Sequence, residues 1–233
     1  VMSDNNPILN SEEHTSYSCL SFENTNASYN KDSIIDITAG DTDIQQWFGC
    51  SFKAAPAANG AEIMLGNNAS FHTCTFEATT TQFARIVDLR GTGTLNNCRL
   101  IGGGKSSGSG DGQGVTINSV SCKVFNCVIC NVHGNGYDVN TTNNRTSVFV
   151  ENCTIANCGG NGIAVGGLTD NQSSSSNSVN GNIVFSCNRG INANADDGRQ
   201  PGMLITAMGD NTTANFNNMD DYEDMVDLIA ITS

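Results

Sequence analysis

Two carboxylates stand at the same place in two copies of one short phrase. Asp88 lies in "IVDL", residues 86–89, and Asp138 lies in "GYDV", residues 136–139. Two carboxyls roughly 6.5–9.5 Å apart, one acid and one base acting through a water, are the working parts of an inverting glycosidase. A second pair, Asp196 and Asp197, is followed by Arg199 in "ADDGR", residues 195–199. Paired carboxylates with a nearby guanidinium suit a calcium ion and an acidic sugar. A β-elimination instead needs a strong base beside a charge-neutralising group. Arg99, Lys123 and Arg145 are the cations available for that task, and no recurring Asp cluster surrounds them. Arg99, Lys123 and Arg199 are the candidate substrate contacts. A plainer reading stands beside each of these: an Asp on a sheet face or in a polar turn only keeps the surface wet.

His14, His72 and His133 are isolated, no Cys–His metal spacing exists and G-x-S-x-G is absent. No cofactor is expected, and calcium is the one candidate ion. The chain of 233 residues carries a formal net charge of -13 with only 10 Lys and Arg, and these are scattered. A nucleic-acid surface needs a basic stripe to displace counterions, so that class is excluded, and anionic membranes are disfavoured for the same reason. No run of about 18 apolar residues is present, so no spanning helix and no membrane insertion are expected. The opening "VMSDNNPILN" lacks the basic start and apolar centre of a signal peptide.

The elements that must position these groups are short and repeat. Apolar phrases occur at 34–37, 62–65, 86–89, 114–117, 136–139, 162–165 and 190–193, every 22 to 28 residues. A second set runs alongside at 49–52, 73–76, 97–100, 126–129, 152–155 and 181–184. Nothing of helical period lies between them. A constant period in the twenties built from strands alone predicts a solenoid whose coils stack in parallel. Only 6% of residues are aromatic, which suits narrow stacked layers better than a wide core.

Alternation predicts which side chains point inward. In the second set these are Cys50 and Phe52, Cys74 and Phe76, Cys98 and Leu100, Cys127 and Ile129, Cys153 and Ile155. The outward residues are Ser51, Thr75, Arg99, Val128 and Thr154. Cysteine acts here as a compact hydrophobe. Coils about 4.8 Å apart separate the Cβ atoms by more than the roughly 3.5–4.5 Å of a disulfide, so free thiols are expected. Cys122 competes with Cys127 for the column, and "NCVI" favours Cys127 by matching "NCRL" and "NCTI". Cys158 and Cys187 begin a second column, where a bridge stays open if the backbone shifts. Asn97, Asn126 and Asn152 form a further column at a turn, where Asn tolerates left-handed geometry. In the first set the outward column reads Asp36, Met64, Asp88, Thr116, Asp138, Ala164, Asn192. Asp88 and Asp138 then share one face two coils apart, about 9–10 Å.

The coil length, the cysteine and aliphatic ladders, the Asn column and the "NGI-V" phrasing resemble right-handed parallel β-helix proteins of the pectate-lyase-like superfamily. The resemblance covers roughly residues 17–206 and implies an all-β fold, a single-stranded right-handed parallel β-helix of about seven coils. Residues 1–16 are expected to form an N-terminal cap or linker, and 207–233 a C-terminal cap or final coil. At the end, Tyr222, Met225, Val226 and Ile229 fit one helical stripe, while "MVDLIAIT" (225–232) matches "RIVDLRGT" (85–92), so helix and strand stay open. The resemblance also implies polysaccharide lyases and hydrolases, tailspikes and non-catalytic adhesins as functional classes. The polygalacturonase-like pattern has a paired Asp followed by His-Gly and a basic triplet. Here His133-Gly134 precedes Asp196-Asp197 and no triplet follows. The expected function is a non-catalytic surface or structural module, virion spike or adhesin-like, binding a glycan or a partner chain. It would be extracellular or on a virion surface, as a trimer or larger assembly. The alternative is a lyase or glycoside hydrolase acting on an acidic polysaccharide, with the four aspartates above as its carboxylates.

Overall fold

The computed structural model describes residues 9–10, 16–24, 33–38, 45–55, 62–81, 83–104, 112–118, 122–140, 149–166, 178–193 and 212–213. Among the described residues every element is a strand, every pairing is parallel, and the strands form three sheets of eight, seven and eight members. The chain is a parallel β-solenoid. Each complete coil gives one strand to each sheet in turn.

The first sheet contains Leu9–Asn10, Ser33–Thr38, Glu62–Asn67, Arg85–Arg90, Gln113–Ile117, Tyr137–Asn140, Asn161–Gly166 and Arg189–Ala193. The second contains Ser16–Ser18, Gln45–Phe48, Ala69–His72, Thr94–Asn96, Lys123–Phe125, Phe149–Glu151 and Ser178–Asn180. The third contains Ser21–Asn24, Ser51–Ala54, Thr75–Ala78, Arg99–Ile101, Val128–Cys130, Thr154–Ala156, Ile183–Phe185 and Thr212–Thr213. Two strand signals per coil are visible in the amino-acid pattern, and the second sheet is the unexpected third. Its strands are three or four residues long and point a single bulky residue inward, such as Trp47, Phe71, Leu95 or Val124. The inward residue changes type from coil to coil, so no phrase repeats there as "NC" does at the next corner.

The corner between the second and third sheets always takes two residues, and this is where the repeated "NC" phrase acts. Its first residue is left-handed in every coil: Cys19, Gly49, Thr73, Asn97, Asn126, Asn152 and Gly181 have φ of 56°, 59°, 55°, 55°, 56°, 52° and 63°. Asn and Gly accept that conformation most readily. The second residue turns inward and stacks above its equivalents. Cys50, Cys74, Cys98, Cys127 and Cys153 are all buried in this column. Cys122 lies instead at the corner between the first and second sheets, within 3.6 Å of the Gly91 carbonyl. All ten cysteines are free, including Cys158 and Cys187.

The column is bonded along its axis. The Cys98 and Cys127 amides donate to the sulfurs of Cys127 and Cys153, each at 3.4 Å. One coil further, Asn182 takes the cysteine position. Its Oδ1 accepts from the Cys153 amide at 2.9 Å and its Nδ2 donates to the Val150 carbonyl at 3.0 Å. Direct Asn–Asn stacking occurs at the other end of the third sheet, where left-handed Asn157 donates to left-handed Asn131 at 2.7 Å.

The core changes character along the axis. In the earlier coils Tyr17 stacks on Trp47, and Phe22, Phe52 and Phe76 stack in sequence. From residue 95 onward the same inward positions hold Leu95, Val124, Val150 and Val179, or Leu100, Ile129, Ile155 and Val184. Where the first sheet approaches the third, the glycine that opens "GYDV", residues 136–139, is a packing requirement. A Cβ on Gly136 would collide with Ile155 Cγ2 and stand 2.8 Å from the Gly162 carbonyl.

One expected column needs correction. The residue aligned with Asp36 and Asp88 is Leu65, and Met64 is fully buried opposite Val87. Both Ile86 and Val87 are buried, as are Ile63 and Met64, so strict alternation slips by one residue at the start of these two strands. The helix-or-strand question at residues 222–232 lies outside the described residues.

Candidate functional site

The outer face of the first sheet carries the polar groups that stack. Register places Leu65, Asp88, Thr116, Asp138, Ala164 and Asn192 in one column. Glu62, Arg85 and Gln113 form the column beside it. The slip in alternation brings the two columns together, so that residues three apart on one strand touch.

Asp88 has no exposure to solvent. Its Oδ2 accepts from Arg85 Nη1 at 3.1 Å, from Arg90 Nε at 3.1 Å and from Arg90 Nη2 at 2.8 Å. Its Oδ1 accepts from Asn118 Nδ2 at 2.6 Å. Arg85 also bridges to Glu62 at 2.9 Å. Such charge-assisted bonds pair the buried carboxyl and fix its orientation. The long Arg side chains fold over the Asp and close it from water.

Asp138 stands two coils on, at about 9.6 Å by strand spacing. Asn135 Nδ2 donates to its Oδ1 at 3.1 Å. Burial raises its pKa above the ordinary carboxylate value, against hydrogen bonds from Asn135 and Gln113 and the charge of Arg85. Between the two, Thr116 donates to Gln113 at 2.7 Å. The Asp88–Asp138 pair is thus on one face, as its spacing predicts, but the two carboxyls have different surroundings. Asp88 is an anchor for two guanidiniums, and Asp138 is the freer acid.

Of the candidate cations, Arg99 and Lys123 are not brought to this face. Arg99 points out of the third sheet, opposite Thr75 and Val128. Lys123 points out of the second sheet, with its ammonium 5.3 Å from the centre of the Phe149 ring. Asp196, Asp197 and Arg199 lie outside the described residues. The residues that complete the Asp88 cluster, Arg85, Arg90 and Asn118, were not among the expected site residues. "RIVDLR" carried half of the signal: Arg90, two residues from Asp88, returns to its face by alternation, whereas Arg85, three residues away, reaches it only through the slip.

The two long polar excursions also border this sheet. "GGGKSSGSGDGQG", residues 102–114, enters the strand Gln113–Ile117, and "GGLTDNQSSSSNSVNG", residues 166–181, leaves the strand Asn161–Gly166. Residues 105–111 and 167–177 of these stretches lie outside the described residues.

The buried thiols do not share one reactivity: hydrogen bonding from Cys127 lowers the pKa of Cys153 against its burial, whereas three others are held protonated. Hydrogen bonding to the next thiol, then burial, pushes Cys98 and Cys127 up to about 12, and burial does the same to Cys122. A thiol attacks as its thiolate, so these three are inert at neutral pH. No group of three or more metal-ligating side chains exists among the described residues, and none of their helices is long and apolar enough to cross a membrane. No protein-family model, no curated protein and no solved structure matches the chain.

Proposed function

We propose that the chain is a non-catalytic surface or structural module, a stiff solenoid that presents its faces to a glycan or to a partner chain. The observation that carries this reading is the state of Asp88. A fully buried carboxylate enclosed by Arg85, Arg90 and Asn118 is out of reach of a substrate, so it is not positioned to exchange a proton with one. Arg99 and Lys123, two of the candidate substrate contacts, point out of the two other sheets, so neither stands beside the Asp88–Asp138 pair. The likeness of the coil phrasing to the pectate-lyase-like superfamily supports a setting outside the cell or on a virion, where adhesin-like and spike modules of that architecture work. Calcium, if it binds, belongs with Asp196 and Asp197.

The test is incubation of the purified chain with acidic and neutral polysaccharides, with assays for new reducing ends and unsaturated products. Retention of a glycan without turnover supports the module. Turnover that disappears in Asp138→Asn overturns it and makes the first-sheet face an active site.

A further inference from the structure

The corner between the second and third sheets repeats one local geometry with a different residue after it in each coil. Asn97, Asn126 and Asn152 occupy equivalent places there, with φ of 55°, 56° and 52°. All three are exposed, and each is followed by a buried cysteine of the column. The residue two positions on points out of the third sheet, and register aligns it as Arg99, Val128 and Thr154. Of the three copies, the last alone reads Asn-x-Thr, as Asn152-Cys153-Thr154. Asn-x-Ser/Thr, with any x except proline, is the acceptor triplet for an N-linked glycan, and the bulk of the glycan requires its asparagine at the surface.

A second triplet shows the same motif enclosed. Asn68-Ala69-Ser70 stands at the corner between the first and second sheets, where Asn68 is left-handed with φ of 52°. Asn68 is 9% exposed. Its Oδ1 accepts from the Thr92 amide at 2.8 Å and from the Thr92 hydroxyl at 3.2 Å. The Asn152 side chain makes no hydrogen bond among the described residues.

We propose that Asn152, and not Asn68, carries an N-linked glycan, because its corner presents the acceptor amide to solvent. The inference rests on the reading of the chain as a module outside the cell, since this transfer acts on chains entering the secretory route. The donor is a lipid-diphosphate-linked oligosaccharide. A bond forms between Asn152 Nδ2 and the anomeric carbon of the first sugar. The bond from that carbon to the diphosphate breaks, the lipid diphosphate leaves with the electron pair, and one amide proton passes to a base of the transferase. The product keeps Oδ1 and one N–H, so the residue keeps the short amide side chain that tolerates the left-handed turn. The glycan attaches at the edge where two sheets meet. An oxidising compartment leaves the column thiols free, because coils about 4.8 Å apart hold their Cβ atoms beyond disulfide reach.

The full chain, directed into the secretory route of cultured animal cells by a cleavable leader, tests this. Glycan occupancy of the secreted, folded protein is mapped by mass spectrometry before and after an amidase that removes N-linked glycans. Asn152 should be occupied and Asn68 bare. Asn152→Gln and Thr154→Ala should each remove one glycan, the second without touching the turn. Val128→Thr completes a triplet at Asn126, exposed at the same corner one coil earlier, and should add one glycan. A secreted wild type with bare Asn152, equal occupancy of Asn68, or no gain from Val128→Thr would each overturn the proposal. The secreted protein also goes through the polysaccharide assay. Turnover by a chain glycosylated at Asn152 sinks the module reading alone, and an inactive chain with bare Asn152 sinks the modification alone.

Discussion

Replacing Asp88 by Asn distinguishes an anchor from a catalyst. The side chain is fully buried and accepts four hydrogen bonds from three residues. A hydrogen bond to a charged group contributes roughly 1.5–3 kcal/mol, and breaking a buried ion pair costs roughly 3–5 kcal/mol. The Arg85 and Arg90 side chains are 26% and 46% exposed, so water compensates part of their loss. The expected destabilisation is then roughly 2–4 kcal/mol. It would be read as a fall of about 1–2 M in the urea midpoint at unchanged slope. Arg90→Ala in a double-mutant cycle should show a coupling of about 1 kcal/mol or more with Asp88→Asn. A catalytic carboxylate would behave in the opposite way, with stability kept and turnover lost. A loss below about 1 kcal/mol at neutral pH refutes the anchor argument.

Three further outcomes are expected. Gly136→Ala should cost roughly 1–3 kcal/mol in urea unfolding, because the new methyl meets Ile155 and the Gly162 carbonyl; a neutral effect would mean that the coil can widen there. Asp138 has a raised folded pKa, so the native state binds its proton more tightly than the unfolded chain does. Its contribution is present below about pH 4 and is lost as pH rises through the folded value, and Asp138→Asn should flatten that part of a stability–pH profile. Finally, a thiol reagent should find Cys19 quickly and half-buried Cys130 slowly, with the eight buried cysteines silent until denaturant is added. Additional fast thiols in the native protein would contradict the packing of the column.

Much of the architecture was legible because a solenoid repeats its constraints. The cysteine column, the left-handed Asn before it and the inward aliphatic residues recur in coil after coil, and each recurrence corrects the alignment of the others. Cys127 could be preferred over Cys122 for this reason. The site was less legible. The three-residue strands of the second sheet point one residue inward each, so a whole face was hidden and Lys123 could not be assigned to it. At 62–65 the apolar run "EIML" aligned by character rather than by register, which put Met64 where Leu65 stands. The enclosure of Asp88 depends on two long side chains folding back over it. Strand periodicity places Cα atoms on a face, but it says nothing about where a guanidinium four bonds away will rest.

The passage from aromatic to aliphatic packing gives the solenoid a polarity that its uniform backbone lacks. Stacked pairs such as Tyr17–Trp47 and Phe52–Phe76 contribute roughly 0.5–1.5 kcal/mol beyond their buried area, and the valine coils have no counterpart. In a one-dimensional array each coil leans only on its neighbours, so local stability follows this gradient. Pulled from both ends, the chain should peel from the valine end first and keep its aromatic coils wound. Among the described coils the early, aromatic ones are the firmer and the later, aliphatic ones the more yielding.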